Sequence, residues 1–426
     1  MKTNHKIKAF LIAGLILPGT LSFALTKGVK ELVRFETGSN AAGIRSSEMI
    51  PLSHVEIPLE LVGLDFASRL DMKIRNSLII EKDGKKFARW ILNPEDTKWN
   101  YELLEYFQNK GMDLKIYNYF KGYQTASRSY IAEDPKSGAQ FSVKSSTDIT
   151  GGSWRDKKQP VGEAIDGRLL SDFLMDQNAK LPFKNFVIMD EPAILKLNDI
   201  DQAVVIRDLG DLKSAKSKFT YVPGFAVLHE ETGREIAQKN GSNDPYAYWT
   251  KHYIRAAGRA LGELAARTGI QFDSPHSQNF LVELDINMKP TGRLVLRDMS
   301  DLYLDKTYLQ AIEGKDSKVL KGFTQSGNVK GGIAAGFGPL HGNRKPLWVN
   351  ETQYAAWKDI FFGEFEKTFQ TVSGFSLASA KAKTYQSGDY YGASYKLSGL
   401  KEYGNLYGMM RTTGVVRNNG GAAPIC

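Results

Sequence analysis

The chain has 426 residues, of which 42% are hydrophobic and 11% aromatic, so it can bury a large core and is not a disordered chain. Its length predicts two or three subdomains. The formal charge of +9 includes three lysines near the start, Lys2, Lys6 and Lys8, and the remainder carries +6. This mild excess suits an anionic ligand, and because no zinc-finger, recognition-helix or RNA-binding motif is present, nucleic acid is not expected as a partner.

The first residues have the features of an export signal. Lys6 and Lys8 precede an apolar run over residues 9–17, and the small-residue pattern Ser-Phe-Ala ends at Ala24. The run is short for a membrane span. We therefore expect cleavage after Ala24 and a periplasmic or secreted protein with no stable membrane span. Since Cys426 is the only cysteine, no disulfide can form within the chain.

The first half of the chain predicts mostly strands. Residues 25–56 indicate a polar lead-in, and KKFARWIL (residues 85–92) and LKIYNYF (residues 114–120) are typical of strands. Farther on, FVIMDEPAIL (residues 186–195) and AVVIRDL (residues 203–209) predict two strands, or a strand and a short helix. In the first of these two segments, an acidic pair precedes a proline, which favours a turn over a functional site. The pair is Asp190 and Glu191.

A long helix followed by a hairpin is predicted next. Asp244 is typical of an N-cap, and an apolar stripe over residues 246–268 predicts a helix that ends at Gly269. The runs FLVELDI (residues 280–286) and RLVLR (residues 293–297) flank the turn sequence NMKPTG and predict an antiparallel pair.

The two ends of this hairpin carry oxygen ligands. With the turn centred near Met288 and Lys289, Asn279 faces Asp298 across the strands. An amide oxygen beside a carboxylate is suited to a hard cation such as Mg²⁺. His276, Gln278 and Arg297 would lie at the same end. The alternative is that these residues make turns and solvated ion pairs only.

His276, Gln278 and Asn279, followed by a hairpin that ends in Arg297 and Asp298, resemble the H-x-Q-N and R-D signature of the aerobactin-synthetase-like siderophore synthetases, which work without a peptide-synthetase template. The resemblance implies that Asn279 and Asp298 help to hold Mg²⁺ and that His276 contacts the nucleotide. It also implies a thumb, fingers and palm architecture with a distantly kinase-like palm.

Upstream, FSVKSSTDITGGSWRD (residues 141–156) resembles the family's strand and the loop that wraps the phosphates of ATP. By this resemblance Lys144 lies on the strand and Arg155 takes the place of the family's loop arginine. The loop between them contributes nucleotide-binding positions as well, and Arg207 ends a second strand of the site. The loop positions are Gly151, Gly152 and Ser153. The resemblance extends over residues 141–305.

The chain also departs from the family. Gly151 and Gly152 stand where the family has Ser-Thr, although glycines can still bind an anion through backbone N–H groups. Asp156 stands where the family has Thr, and a carboxylate there would repel phosphate. Ser274 replaces an acidic residue, and the His-Pro motif that helps to bind the carboxylate substrate has no counterpart.

The C-terminal part is glycine-rich and then helical. Residues 326–346 contain GNVKGG, which lacks the spacing of a phosphate-binding loop, and nearby basic residues indicate a lid or a solvated loop. Those residues are His341, Arg344 and Lys345. Asn350 and Gln353 form a capping-box pattern before an apolar helical stripe. The Tyr-Gly-rich residues 385–407 indicate edge strands or a surface arm.

Together these patterns predict an α+β fold with mixed and antiparallel sheets. The expected divisions are a signal peptide (1–24), a mixed N-terminal subdomain (25–140), a nucleotide- or anion-site core (141–310) and a helical C-terminal region (311–426). Two classes of function remain open. One is an ATP- and Mg²⁺-dependent ligase that activates a small carboxylate and forms an amide or ester. In it Lys144 and Arg155 would neutralise phosphates.

The alternative is an exported ligand-binding or interaction protein without turnover, or a kinase-like phosphotransferase that acts outside the producing cytoplasm. Export conflicts with a nucleotide site because the periplasm lacks ATP. Such a site then serves another phosphorylated or carboxylated ligand, or acts after delivery into another cell, or has lost catalysis. The sequence leaves the oligomeric state open.

Overall fold

The structure is a computed structural model. It describes residues 24–39, 46–126, 128–148, 156–272, 277–325, 329–330, 333–338, 345–374, 377–379, 383–384 and 391–397. The helices are α1 (Lys27–Gly38), α2 (Met72–Leu78), α3 (Lys98–Asn109), α4 (Val161–Lys180), α5 (Gly224–Val227), α6 (Glu230–Lys239), α7 (Pro245–Trp249), α8 (Arg255–Thr268), α9 (Lys306–Glu313), α10 (Lys318–Gly322) and α11 (Glu351–Ser373).

The strands up to the middle of the chain are β1 (Ile50–Pro58), β2 (Gly63–Phe66), β3 (Ile79–Lys82), β4 (Lys85–Ile91), β5 (Ile116–Ala126), β6 (Ser129–Glu133), β7 (Gln140–Lys144), β8 (Phe186–Ile188), β9 (Ala193–Leu197), β10 (Gln202–Arg207) and β11 (Phe219–Pro223). The later strands are β12 (Ile270–Gln271), β13 (Phe280–Asp285), β14 (Pro290–Leu296), β15 (Tyr303–Asp305), β16 (Val329–Lys330), β17 (Ile333–Phe337), β18 (Leu377–Ser379), β19 (Lys383–Thr384) and β20 (Tyr391–Leu397).

Two sheets dominate the part of the chain that the structure describes. The larger has nine antiparallel strands in the order β2-β9-β10-β7-β6-β5-β1-β4-β3. The second has the order β11-β13-β14-β8, and its β14–β8 pair is parallel. Helices alternate with these strands along the chain. The predicted α+β class with mixed and antiparallel sheets is therefore confirmed.

The largest apolar core lies between the second sheet and the helices that cover it. At its centre α8 packs closely on α11, because two glycines of α8 leave room for the partner backbone. A Cβ atom at Gly258 would lie 2.5 Å from the backbone oxygen of Phe361, and one at Gly262 would lie 2.6 Å from that of Phe365. Any larger side chain at these two positions would force the helices apart.

Several local predictions are confirmed. The segment KKFARWIL forms β4, LKIYNYF forms the first part of β5, and the two later segments supply β8, β9 and β10. The predicted long helix is α7 and α8 joined through a π-helical turn at Thr250–Ile254, and Gly269 ends it with φ 68°. Asn350 and Gln353 make the expected capping box of α11. These features depend on residues close in sequence.

The predicted polar lead-in over residues 25–56 is wrong. Its first part is α1, and its last part forms most of β1. Thr26 caps α1, and Val29, Leu32 and Val33 are buried in a cluster with residues of both sheets. The apolar positions recur at helical spacing. This spacing was overlooked because charged residues lie between them.

Among the described residues, no helix is both long enough and apolar enough to span a bilayer. In the predicted lid segment, Lys345 pairs with Glu351 on the surface. His341 and Arg344 lie outside the described residues, as does most of the Tyr-Gly-rich segment apart from β20.

Candidate functional site

Two cations of the large sheet lie on one face where it meets the second sheet. Lys144 ends β7 and Arg207 ends β10, and the two strands are adjacent and antiparallel. Lys144 lies opposite Val205, which shares a face with Arg207 because side chains alternate along a strand. Both cations are buried, with 4% and 3% of their surface exposed. Burial of two cations on one face requires anionic partners nearby.

Asp298 supplies that anion from the other sheet. It follows β14 and has a left-handed backbone with φ 68°. Its Oδ1 atom accepts a hydrogen bond from Lys144 Nζ and lies 3.2 Å from Arg207 Nη2. Ser300 Oγ donates to the same oxygen at 3.1 Å. One carboxylate oxygen thus joins the ends of β7, β10 and β14.

The same contacts determine the charge of Asp298. Burial alone would raise the pKa of this carboxyl, but the nearby Lys144 and Arg207 outweigh burial and hold its pKa well below the usual range. The Oδ2 atom accepts no hydrogen bond from any described residue, and the side chain is 17% exposed. Asp298 therefore offers one ionised oxygen to a ligand or cation.

Arg207 is held in place from its other side by Glu191. Arg207 Nε donates to Glu191 Oε1 at 2.7 Å, and Ser171 Oγ accepts from the backbone N–H of Glu191. Gly167 of α4 leaves room for this carboxylate, since a Cβ atom there would lie 2.9 Å from Glu191 Oε2. Glu191 is thus a positioning residue for Arg207.

Asp190, next to Glu191, has a separate structural partner. Its two oxygens accept from Arg69 at 2.8 and 2.7 Å, and Ser171 also donates to it. A turn was favoured over a functional site at Asp190 and Glu191, and the structure shows that both residues, which lie between β8 and β9, also form ion pairs. Their partners lie on distant segments, so the local sequence could not indicate the ion pairs.

The predicted pairing of Asn279 with Asp298 is also wrong by one residue. The backbone N–H of Arg297 donates to Asn279 O at 3.1 Å, so Asn279 lies opposite Arg297, and Asp298 is the next residue. The turn is centred on Asn287, with Asp285 opposite Lys289, and not between Met288 and Lys289. A register shift between Val282 and Leu284 offsets most of this displacement, so that the final error is one residue. Asn279 and Asp298 still lie at the same end of the hairpin, and Asn279 is buried.

Arg297 holds the segment before β13. Its Nε donates to Gln278 O at 2.8 Å, and its Nη1 donates to Glu36 of α1. Glu36 is fully buried, and this desolvation raises its pKa although Arg297 and Arg207 oppose the shift. Sequence reasoning missed Glu36, which lies in the segment that was predicted to be a lead-in.

The predicted phosphate loop is described only at its ends. Gly151, Gly152, Ser153 and Arg155 lie outside the described residues, as does His276. Thr147 and Lys157 pair across the base of the loop.

Two aspartates fix the ends of this loop to the start of α3. Asp148 accepts from the backbone N–H groups of Thr97 and Lys98 at 3.2 and 3.0 Å. Asp156 pairs with the Lys98 ammonium, which offsets the repulsion expected between this carboxylate and a phosphate.

Asp298 and Asn279 are the residues that could hold a metal ion here. No group of three or more His, Cys, Asp or Glu side chains suited to a metal occurs among the residues that the structure describes. Mg²⁺ needs few protein ligands when it is bound together with phosphates, and it prefers oxygen. The donor set therefore fits Mg²⁺ carried by a phosphate ligand better than a site made by protein ligands alone.

No known family model matches the chain, and no curated protein matches it. Solved structures that resemble it include ATP-bound aerobactin synthetase IucA from a hypervirulent pathotype of Klebsiella pneumoniae, with 14% identity and a TM-score of 0.44 over 67% of this chain and 54% of that chain. Aerobactin synthetase IucC from the same source has 15% identity and a TM-score of 0.43 over 65% of this chain and 54% of that one.

Petrobactin biosynthesis protein AsbB from Bacillus anthracis has 16% identity and a TM-score of 0.47 over 70% of this chain and 53% of that chain. The similar region thus spans about half of each of these three proteins. At this level of similarity, the reactions of those proteins are not transferred to this chain.

We expect Glu191→Gln to lower the free energy of unfolding by about 3 kcal/mol, because Arg207 stays buried after losing the charged partner of its Nε. Urea unfolding measures this change. The matched control is Glu31→Gln, which removes the charged partner of Arg34 in a pair whose side chains are 26% and 52% exposed. That change should cost less than about 1 kcal/mol. Equal losses in the two variants would contradict the assigned role of Glu191.

Proposed function

We propose that the chain binds a nucleoside triphosphate with Mg²⁺ and uses it to activate a small carboxylate for amide or ester formation. The observation that carries this proposal is the cluster of Lys144 and Arg207 around one oxygen of Asp298. ATP is the nucleotide that the sequence motifs favour. The ligand class is therefore a polyphosphate together with a carboxylate acceptor.

The two cations are suited to phosphate oxygens. Lys144 and Arg207 are buried, and both lie against Oδ1 of Asp298, while Glu191 pairs with Arg207 from its other side. Their ammonium and guanidinium groups make charge-assisted hydrogen bonds to phosphate. A bound phosphate would thus share these donors with Asp298. Its binding would cost little conformational entropy, because the donors are already in place.

Asp298 and Asn279 suit the metal that accompanies such a phosphate. The Oδ2 atom of Asp298 is ionised and has no donor among the described residues, so it can accept a cation. Asn279 lies at the same end of the hairpin and adds an amide oxygen. When bound, Mg²⁺ neutralises charge on the phosphate oxygens.

In the first step, a carboxylate oxygen of the substrate attacks a phosphorus atom of the nucleotide. The bond from that phosphorus to the next phosphate group breaks, and that phosphate group leaves. In the second step, an amine or hydroxyl attacks the acyl carbon. The phosphoryl group bound to the substrate carboxylate leaves with its oxygen, and the amine or hydroxyl loses its proton to solvent. Lys144 and Arg207 would stabilise the charge that develops on the phosphate oxygens in the first step.

A second candidate is a protein that binds the same ligand without turnover. The charges of the cluster already balance one another, because Asp298 has Lys144, Arg207 and Ser300 as partners. This balance favours the second candidate. The glycines in place of loop hydroxyls favour it as well. Release of phosphate or pyrophosphate from ATP, in the presence of a carboxylate and an amine, separates the two candidates. Binding without release supports the second one.

We expect ATP with Mg²⁺ to stabilise the chain by about 2.7 kcal/mol at one hundred times the dissociation constant, as measured by thermal shift. Asp298→Asn should remove most of the Mg²⁺-dependent part of ATP binding. The same variant should keep or strengthen ATP binding without Mg²⁺, since it releases Lys144 and Arg207 from a carboxylate.

The matched control is Asp199→Asn, which changes an exposed pair with Lys110 and should leave ATP binding as it is. Absence of any ATP effect in the parent chain would contradict the proposal. An unchanged Mg²⁺ dependence in Asp298→Asn would contradict the role of that residue.

We also propose that the chain is exported and cleaved after Ala24, on the basis of its first 24 residues. A C-terminally tagged copy in the native host should appear in the periplasmic or secreted fraction with Leu25 as its first residue, as shown by fractionation and N-terminal sequencing. A tagged chain that stays in the cytoplasm with its first residues intact would contradict export. It would also place the site where ATP is abundant.

A further inference from the structure

The residues just after the expected cleavage point are bound to the large sheet. The backbone N–H and the hydroxyl of Thr26 lie 3.2 Å from Gln140 Oε1, and Gln140 Nε2 donates to Ala24 O at 3.2 Å. The Thr26 hydroxyl also contacts Leu212 O. Residues 24–26 are therefore fixed at the first residue of β7.

Glu133 lies beside this point, and one of its two carboxylate oxygens has no hydrogen-bond partner among the described residues. It is the direct cross-strand neighbour of Gln140 in the β6–β7 pair, and it is completely buried. Its Oε1 atom pairs with Lys121 Nζ at 2.9 Å. Its Oε2 atom is buried and has no hydrogen-bond partner among the described residues. A buried carboxylate oxygen without a donor costs free energy and requires an explanation.

The start of α1 and Glu133 share one face of the sheet. Ile131 lies on the same face as Glu133, because the two are separated by one residue in β6. Ile131 belongs to the apolar cluster in which Tyr123 and Leu25 are also packed. Leu25 thus lies on the side of the sheet where the Glu133 carboxylate needs a donor.

We propose that removal of the residues up to Ala24 creates the missing partner of Glu133, and that the new ammonium group of Leu25 pairs with this carboxylate. The chemistry is hydrolysis by a signal-peptidase type of protease. Water adds across the Ala24–Leu25 bond, the hydroxyl goes to the Ala24 carbonyl carbon, and the nitrogen of Leu25 takes the hydrogen. At neutral pH this amine binds a further proton and becomes a cation with three donors.

The pairing would hold the first turn of α1 against the large sheet. Before cleavage the nitrogen of Leu25 is an uncharged amide, and among the described residues Lys121 is the one cation that pairs with Glu133. After cleavage a second cation is available on the same face. Since Glu36, near the other end of α1, holds Arg297 beside Asp298, processing would also stabilise one support of the charged cluster. This inference depends on the proposed export and not on the proposed ATP chemistry.

The test is a comparison of two N-termini in combination with one substitution. One chain begins at Leu25 and the other at Ala24, which moves the ammonium group by one residue, and each is made with Glu133 and as Glu133→Gln. We expect the Leu25 chain to unfold at a higher temperature than the Ala24 chain, by on the order of 3 °C. Glu133→Gln should remove most of this difference.

Glu283→Gln is the matched control, because Glu283 is similarly buried but both of its carboxylate oxygens already accept hydrogen bonds from Arg293. It should lower the unfolding temperature of both chains by the same amount. An N-terminal difference that persists in Glu133→Gln, or no difference at all, would overturn the proposal. So would a processed chain whose first residue is not Leu25.

A second measurement needs no substitution at Glu133. The α-amino group of the processed chain should react with an acylating reagent at least about tenfold more slowly than that of a Leu-initiated peptide, because a paired ammonium is the unreactive form. Reaction at the rate of the free peptide would overturn the pairing. Neither readout involves ATP, so failure here is distinguishable from failure of the proposed function.

Discussion

The charged cluster depends on one shared oxygen. Asp298 Oδ1 receives Lys144 from β7 and lies beside Arg207 from β10, while Asp298 itself follows β14 of the other sheet. Because two cations are buried on one face, this carboxylate and that of Glu191 offset the free-energy cost of their burial at the junction between the sheets. The same arrangement keeps the second oxygen of Asp298 ionised and available. The group that links the two sheets is therefore also the group that the proposed ligand site depends on.

The supports of this group come from distant parts of the chain. Glu191 holds Arg207 from the side of α4, and Glu36 of α1 holds Arg297 next to Asp298. Glu36 and Arg297 are 261 residues apart in sequence. The helix α1, which follows the expected leader, is thus part of the framework of the site.

Local patterns predicted much of the fold and only part of the site. Strands β4, β5, β9 and β10 and the caps of α8 and α11 depend on residues near in sequence, so their patterns were sufficient. The residue opposite Asn279 was predicted wrongly because neither the centre of the turn nor the register shift near Val282 is evident from the sequence. Glu36 was missed, and the ion pair of Glu191 was not predicted, because only the tertiary fold shows their arginine partners.

The central claim is that Lys144 and Arg207 hold the Asp298 carboxylate ionised. Carbon-13 NMR of this carboxyl during an acid titration of the folded chain, assigned by comparison with Asp298→Asn, tests the claim most directly. We expect the chemical shift of the Asp298 carboxyl to stay at the value of the ionised form as the pH falls through about 4, where an ordinary aspartate takes up its proton. Titration of Asp298 near that ordinary value would contradict the account.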